Sequence, residues 1–160
     1  MAVDCQGLSG GLALWWRDSI SVTIRPWCQY FIDAVLECEG KSFRFTGFYG
    51  KPRTELQNKS WEAIRYLRSQ DDLPWLCAGD FNEALWGFEH LSLTPRPEAH
   101  MAAFRDVLLT CELVDLGFSG VPYTYDNMRA RSANVRVRLD RAVATNPRRN
   151  MFPFTSVQHL

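Results

Sequence analysis

Trp75-Leu76-Cys77-Ala78-Gly79-Asp80-Phe81-Asn82-Glu83 is a short apolar run that breaks into an acid–aromatic–amide sequence. The apolar part fits a buried strand. If that strand continued past Gly79, Asp80 and Asn82 would point to one face and Phe81 to the other, into the core. A carboxylate and a carboxamide sharing a face suit phosphodiester hydrolysis. The acid can orient water or hold a metal, and the amide can donate to a phosphoryl oxygen without adding negative charge. Gly79 leaves backbone and substrate room to approach. Read in isolation, the same residues also fit an Asp that caps a turn and an Asn that opens a loop.

Working outward, the segments on either side read as strands mixed with two helices. Leu12 to Trp16 alternates like a strand, and Ser21 to Ile24 is β-branched. Phe31–Leu36 and Phe43–Phe48 flank the turn signal Glu39-Gly40-Lys41, which predicts a hairpin. Trp61, Ile64 and Leu67 recur at helical spacing, with Asn58 as the expected N-cap. Pro97 suits the first turn of a second helix whose stripe is Met101, Phe104, Leu108 and Cys111. Leu113–Leu116 is a short strand, Gly117–Pro122 a loop, and Tyr123–Tyr125 with Asn134–Asp140 a strand pair. In the latter segment Val135, Val137 and Leu139 face one way, and Arg136, Arg138 and Asp140 the other. Hairpins beside helices point to mixed sheets rather than an all-parallel one.

Composition sets outer limits. With 160 residues, 46% apolar and 13% aromatic, the chain is long and apolar enough to fold around a core as one domain. No apolar run reaches the ~18 residues of a membrane span, and Met1 to Gly11 does not read as a signal peptide. The five scattered cysteines show no zinc spacing and read as reduced thiols of an intracellular protein, most of them in the core. Formal charge is zero but segregated. Residues 71–98 carry six acids against Arg96, and residues 129–149 carry seven arginines against Asp140. Such a pair of segments suits a metal site beside a phosphate groove, or two stretches that neutralise each other.

An ordered set of further pieces surrounds the central motif. Gly10-Gly11-Leu12-Ala13-Leu14-Trp15 and Thr46-Gly47-Phe48-Tyr49-Gly50 precede it. Leu113 to Phe118, Tyr123 to Asn127, Val137 to Ala142 and Val157 to Leu160 follow. Together they resemble the endonuclease domain of plant LINE-type (non-LTR) retrotransposons, within the endonuclease/exonuclease/phosphatase superfamily. The resemblance implies an α/β fold, a four-layer α/β/β/α sandwich of two mixed β-sheets. It also implies Mg²⁺-dependent cleavage of DNA and, from a retrotransposon origin, a nuclear location. No protein partner is legible.

The resemblance assigns catalytic roles to Asp80 (water), Asn82 and Tyr49 (scissile phosphate) and Asp140 (supporting hydrogen bonds). Thr124 and Asn127 fall beside the nucleic-acid groove, and Arg136 and Arg138 belong to the basic segment that would face DNA. Each has a plainer alternative. Tyr49 also suits a strand end, Thr124 a strand, and Asp140 a salt bridge with Arg136 or Arg138. Glu83 and Asn127 read as structural, and neither His90 nor His100 receives a role. Two family features have no counterpart in these residues. None of the nine residues before Gly10 is the family's metal-binding Glu, Asp4 standing in a different context. The Ser-Asp-His motif does not appear, because His159 belongs to the Val-x-His-Leu segment that precedes it. The expectation is therefore one domain over 1–160 lacking the family's N-terminal and C-terminal strands, its metal ligands unknown, and weakly active or inactive. The alternative is a non-catalytic, residual nucleic-acid-binding remnant.

Overall fold

A computed structural model describes residues 1–6 and 9–160. Its frame is a six-stranded mixed sheet. Strands β1 (Ala2–Gln6) and β2 (Ser9–Ala13) form a separate antiparallel hairpin. Then β3 (Ser21–Cys28), β4 (Phe31–Cys38) and β5 (Lys41–Tyr49) run as an antiparallel meander. The turn between β4 and β5 uses Glu39 at φ 52° and Gly40 at φ 72°, the left-handed pair a tight hairpin requires. Helix α1 (Gln57–Arg68) carries the chain across to β6 (Trp75–Asp80), which lies parallel to β5.

After β6 come β7 (His90–Leu91), helix α2 (Glu98–Thr110), β8 (Val114–Asp115), β9 (Ser119–Gly120), β10 (Tyr125–Asp126) and β11 (Arg136–Val137). Strand β12 (Asp140–Ala144), helix α3 (Asn146–Met151) and β13 (Gln158–His159) complete the order. The main sheet runs β3-β4-β5-β6-β12-β8. Two smaller ladders, β10-β11-β7 and β13-β9, lie outside it. The architecture is thus α/β with mixed sheets, as expected.

One core unites α1, α2 and the main sheet. Trp61, Ile64 and Leu67 of α1 are buried, and Phe104, Val107 and Leu108 of α2 join them against Phe48, Cys77 and Val143 of the sheet. A chain of aromatic contacts runs through it. Trp61 stacks on Phe104 at 4.7 Å, Phe104 meets Phe81 at 5.3 Å, and Phe81 meets Phe48 at 5.1 Å. Phe81 therefore anchors the central motif from beneath. Gly79 is needed for a steric reason. Its φ is +142°, and a Cβ there would come within 2.1 Å of the Phe48 carbonyl oxygen on β5. A buried pair ties β4 to β5 and to the end of α1. Arg44 donates to both Asp33 oxygens and to the Leu67 carbonyl.

Several boundaries differ from the sequence-based expectation. The strand expected over 12–16 occupies Ser9–Ala13. A 3-10 turn over Thr54–Leu56 leads into α1, so Leu56 rather than Asn58 occupies the cap position. Pro97 caps α2 from just outside its first turn. The expected pair 123–125 with 134–140 divides in two. Tyr125–Asp126 pairs with Arg136–Val137, whereas Asp140 opens β12 on the main sheet. The Gly117–Pro122 loop contains β9, which pairs in parallel with β13. Of the cysteines only Cys77 and Cys111 are buried, and Cys5 is exposed. No helix among the described residues is long and apolar enough to cross a membrane.

Candidate active site

Strand register assembles the site. Tyr49 is the partner of Asp80 across the parallel β5–β6 ladder, and Asp80 is the partner of Asp140 across the antiparallel β6–β12 ladder. The three side chains therefore form one row across adjacent central strands, at the ends of those strands. Two backbone bonds lock this end, Gly50 N–H to Asp80 O at 2.7 Å and Phe81 N–H to Leu139 O at 3.0 Å. Gly50 must be a glycine here, since a Cβ would lie 2.3 Å from the Phe81 carbonyl oxygen.

Asn82 reaches the site by a different route from strand alternation. The strand ends at Asp80, and Asn82 adopts φ 53°. Its backbone N–H donates to Asp80 Oδ1 at 2.8 Å, closing an Asx turn. Its side-chain amide donates to the Gly50 carbonyl at 2.8 Å, and Gln57 of α1 donates to the Asn82 backbone carbonyl at 2.9 Å. The amide is thereby fixed beside the carboxylate.

Burial pushes the Asp80 carboxyl up to about 6, and the charge of Asp140 adds to the effect against the hydrogen bonds from Asn82. Asp140 itself is exposed. Thr124 positions it. The Thr124 hydroxyl oxygen accepts from Leu139 N–H and Asp140 N–H, both at 3.0 Å. Thr124→Val leaves two backbone donors unmatched and is expected to cost about 1–3 kcal/mol, with Thr124→Ser restoring most of it. Urea unfolding of the two variants checks this.

A cleft of about 420 Å³ opens beside the row, lined by Tyr49, Asp80, Asn82, Glu83, His90, Arg96 and Tyr125 among others. Glu83 is buried and held by Arg96 at 2.6 and 2.9 Å, so it forms the wall of the cleft. His90 and Arg96 had no signal in the sequence. Pairing of His90 with Val137 across β7–β11 is what brings the imidazole to the cleft. On the other side Leu12 and Leu14, from β2 and the residues just after it, wall a second cavity of about 340 Å³ that also touches Tyr49 and Asp80.

The basic segment behaves otherwise than a phosphate groove. Arg138 is 5% exposed, bound to Glu89 at 2.9 Å and to Asp115 at 2.9 Å, and is not available to DNA. Arg141 is bound to the same two acids. The acidic and basic stretches thus neutralise each other in part, because pairing of β7 with β11 sets Glu89 beside Arg138 and Arg141. Asp140 is not the partner of either Arg136 or Arg138. Arg136 is half exposed and pairs with Asp126 at 2.8 Å. Asn127 organises its own loop. Its Oδ1 accepts from Arg129 N–H and Val135 N–H, and its amide donates to the Ala133 carbonyl. His159 packs on Phe118 with Nδ1 at 3.0 Å from the Val121 carbonyl.

Comparison with known proteins adds family and fold. The family model described as "Endonuclease/Exonuclease/phosphatase family" matches residues 4–152. No curated protein matches the sequence. Among solved structures, the endonuclease domain of TRAS1, a telomere-specific non-LTR retrotransposon, aligns with a TM-score of 0.66 at 16% identity. That alignment covers 82% of this chain and 58% of that one. A β-hairpin deletion mutant of β toxin from Staphylococcus aureus aligns with a TM-score of 0.50 at 16% identity, covering 73% of this chain and 44% of that one. At these identities the likeness concerns the fold, and the chain spans less than two thirds of either structure.

Proposed function

The chain belongs to the endonuclease/exonuclease/phosphatase family, and on that premise we propose that its target bond is a phosphodiester of DNA, cleaved with the help of Mg²⁺. The observation that carries this reading is the row of Tyr49, Asp80 and Asp140 in register, with Asn82 fixed one turn beyond. The resemblance to retrotransposon endonucleases supports DNA as the substrate and the nucleus as the place of action. The exposed Phe88 and the half-exposed Trp86 and Tyr125 offer faces on which bases can stack.

Mg²⁺ is typically held by one or two carboxylates together with water and substrate oxygens. Asp80 and Asp140 fit that demand, being neighbours whose charges repel. Among the described residues no group of three or more His, Cys, Asp or Glu forms a complete cage. Such an ion would neutralise charge on the phosphoryl oxygens.

The remaining chemistry falls to the chain's own groups. Asp80 Oδ1 is occupied by the Asn82 N–H, leaving Oδ2 to orient a water for in-line attack. Asn82 spends one amide hydrogen on Gly50 and keeps a second for a phosphoryl oxygen. The Tyr49 hydroxyl donates to the same phosphate. Asp140, its backbone held by Thr124, stands across the β6–β12 ladder from Asp80 and completes the acidic pair.

For these 160 residues alone, nicking of supercoiled plasmid is expected to be weak. Neither the metal-binding Glu nor the Ser-Asp-His implied by the resemblance lies among them, and losing one charge-stabilising group typically costs about 10²–10³ in rate. Any residual nicking should require Mg²⁺, stop in EDTA and vanish in Asp80→Ala. Nicking that survives EDTA or Asp80→Ala would overturn the proposal. The exposed Arg129 and Arg131 favour a second reading, a nucleic-acid-binding remnant without cleavage. Salt-dependent DNA binding with no nicking at any metal concentration would select it.

A further inference from the structure

Arg148 differs from the other buried arginines. Arg44, Arg138 and Arg141 each face carboxylates. Arg148 is 7% exposed, and no carboxylate among the described residues forms an ion pair with it. Its guanidinium lies against the rings of both Phe43 and Phe152, at 4.4 and 4.1 Å, the two rings meeting edge-on at 5.4 Å. Its Nε, like that of Arg138 and Arg141, is buried with no hydrogen-bond partner, but here Nη1 too has only a neutral group, the Thr155 hydroxyl at 3.5 Å. Burial alone pulls its pKa down, with no neighbouring charge acting the other way. A buried cation with unfilled donors is costly unless something anionic completes it.

The space around it has the right shape and sign. Arg148, Arg149, Thr155, Phe152 and Asp115 border a cavity of about 220 Å³. Asp115 does not cancel the charge there, since its oxygens already accept from Arg138 at 2.9 Å, Arg141 at 2.7 Å and the Gly117 N–H at 2.7 Å. Together with Glu89, those two arginines and Asp115 form a neutral cluster. The excess from Arg148 and Arg149 is therefore positive. Lys41 adds to it from the far side of Phe152, 4.7 Å from that ring.

We propose that this pocket is a binding site for a single phosphate group, gripped by the Arg148 fork with Arg149 and the Thr155 hydroxyl as further donors. A planar guanidinium matches phosphate oxygens two at a time. The cavity holds one phosphate and a few waters, given about 30 Å³ per water in the liquid. The site is separate from the candidate active site. Asp140 begins β12 and Ala144, which borders the pocket, ends it, roughly 13 Å away along the strand.

Titration of the 160-residue chain with inorganic phosphate, followed by amide NMR shifts at constant ionic strength, tests the proposal. Saturable shifts are expected around residues 115, 144 and 148–155. Affinity should fall roughly tenfold or more in Arg149→Met, as for loss of a charged hydrogen bond, and stay unchanged in Asp80→Asn. Arg148→Met should abolish it. If that variant does not fold, Thr155→Val and Arg149→Met, both changes at exposed residues, carry the test. Absence of saturation in the parent chain, or binding indifferent to Arg149→Met and Thr155→Val, overturns the site. A parallel titration with a short DNA duplex separates the sources of phosphate. Loss of affinity in Arg149→Met with a salt slope shallower by about one identifies a backbone phosphate, and DNA binding indifferent to that change identifies a small phosphoester.

Discussion

At neutral pH, Asp80→Asn is expected to make the chain more stable by roughly 2 kcal/mol in EDTA, and to remove any nicking that the parent shows in Mg²⁺. The two effects have one cause. Asp80 is carried into a partly buried position beside Asp140, and its carboxyl is pushed up to about 6 from an ordinary value of 3.8, chiefly by burial. The folded state therefore prefers the protonated acid. That preference favours folding fully below the unfolded-state value and is lost as pH rises through the folded one. Above it the carboxylate opposes folding by an amount near 1.4 kcal/mol per unit of displacement, lessened by the solvent that still reaches the side chain. An amide at position 80 keeps the acceptor for the Asn82 N–H and carries no charge to desolvate. Urea unfolding at neutral pH and near pH 4 checks this, because the advantage should shrink as the parent carboxylate becomes protonated. Equal stability at both values would mean that Asp80 is not under electrostatic strain.

Glu89→Ala is expected to destabilise the chain by about 3–5 kcal/mol, the range for breaking a buried ion pair from one side. The Glu89 carboxylate accepts from Arg138 at 2.9 Å and from Arg141 at 3.0 Å, and also takes the backbone N–H groups of Leu85 and Trp86. Without it two buried guanidiniums share only Asp115, whose side chain is 18% exposed. The loss would reach the candidate active site, because Arg138 and Arg141 bracket Leu139 and Asp140. Burial raises the Glu89 carboxyl, but the Arg141 and Arg138 charges and hydrogen bonds outweigh it and hold it below its ordinary value; Asp115 is held low in the same way. Their contribution is present above the unfolded-state values and is lost as pH falls through the folded ones, so the parent should unfold in acid with these groups taking up protons. An unfolding free energy for Glu89→Ala within about 1 kcal/mol of the parent, against the ~3–5 kcal/mol of a broken buried pair, would show that the cluster is not what holds the turn at Glu89 to β12.

Much of this protein is local in origin and can be read from residues close together in the chain. The hairpin at Glu39-Gly40 follows from turn chemistry. The helix carrying Trp61, Ile64 and Leu67 follows from apolar spacing, and burial of Phe81 beneath an acid–amide motif follows from the strand before it. The ordered motifs also name the family, because their residues stay together whatever their partners do.

Register, turn geometry and charge pairing needed the tertiary structure. Tyr49, Asp80 and Asp140 are far apart in sequence and become one row only when β5, β6 and β12 pair at one particular offset. Asn82 meets Asp80 through a left-handed turn, although alternation alone would have placed both on one strand face. In the sequence the seven arginines of residues 129–149 read either as the side of a phosphate groove or as a stretch that pairs with the acids of residues 71–98. Folding sends Arg138 and Arg141 inward to Glu89 and Asp115, leaves Arg148 buried without an acid, and exposes the others. A linear pattern records which groups a chain owns. Whether two charges neutralise one another depends on the distance between them, and only packing sets that.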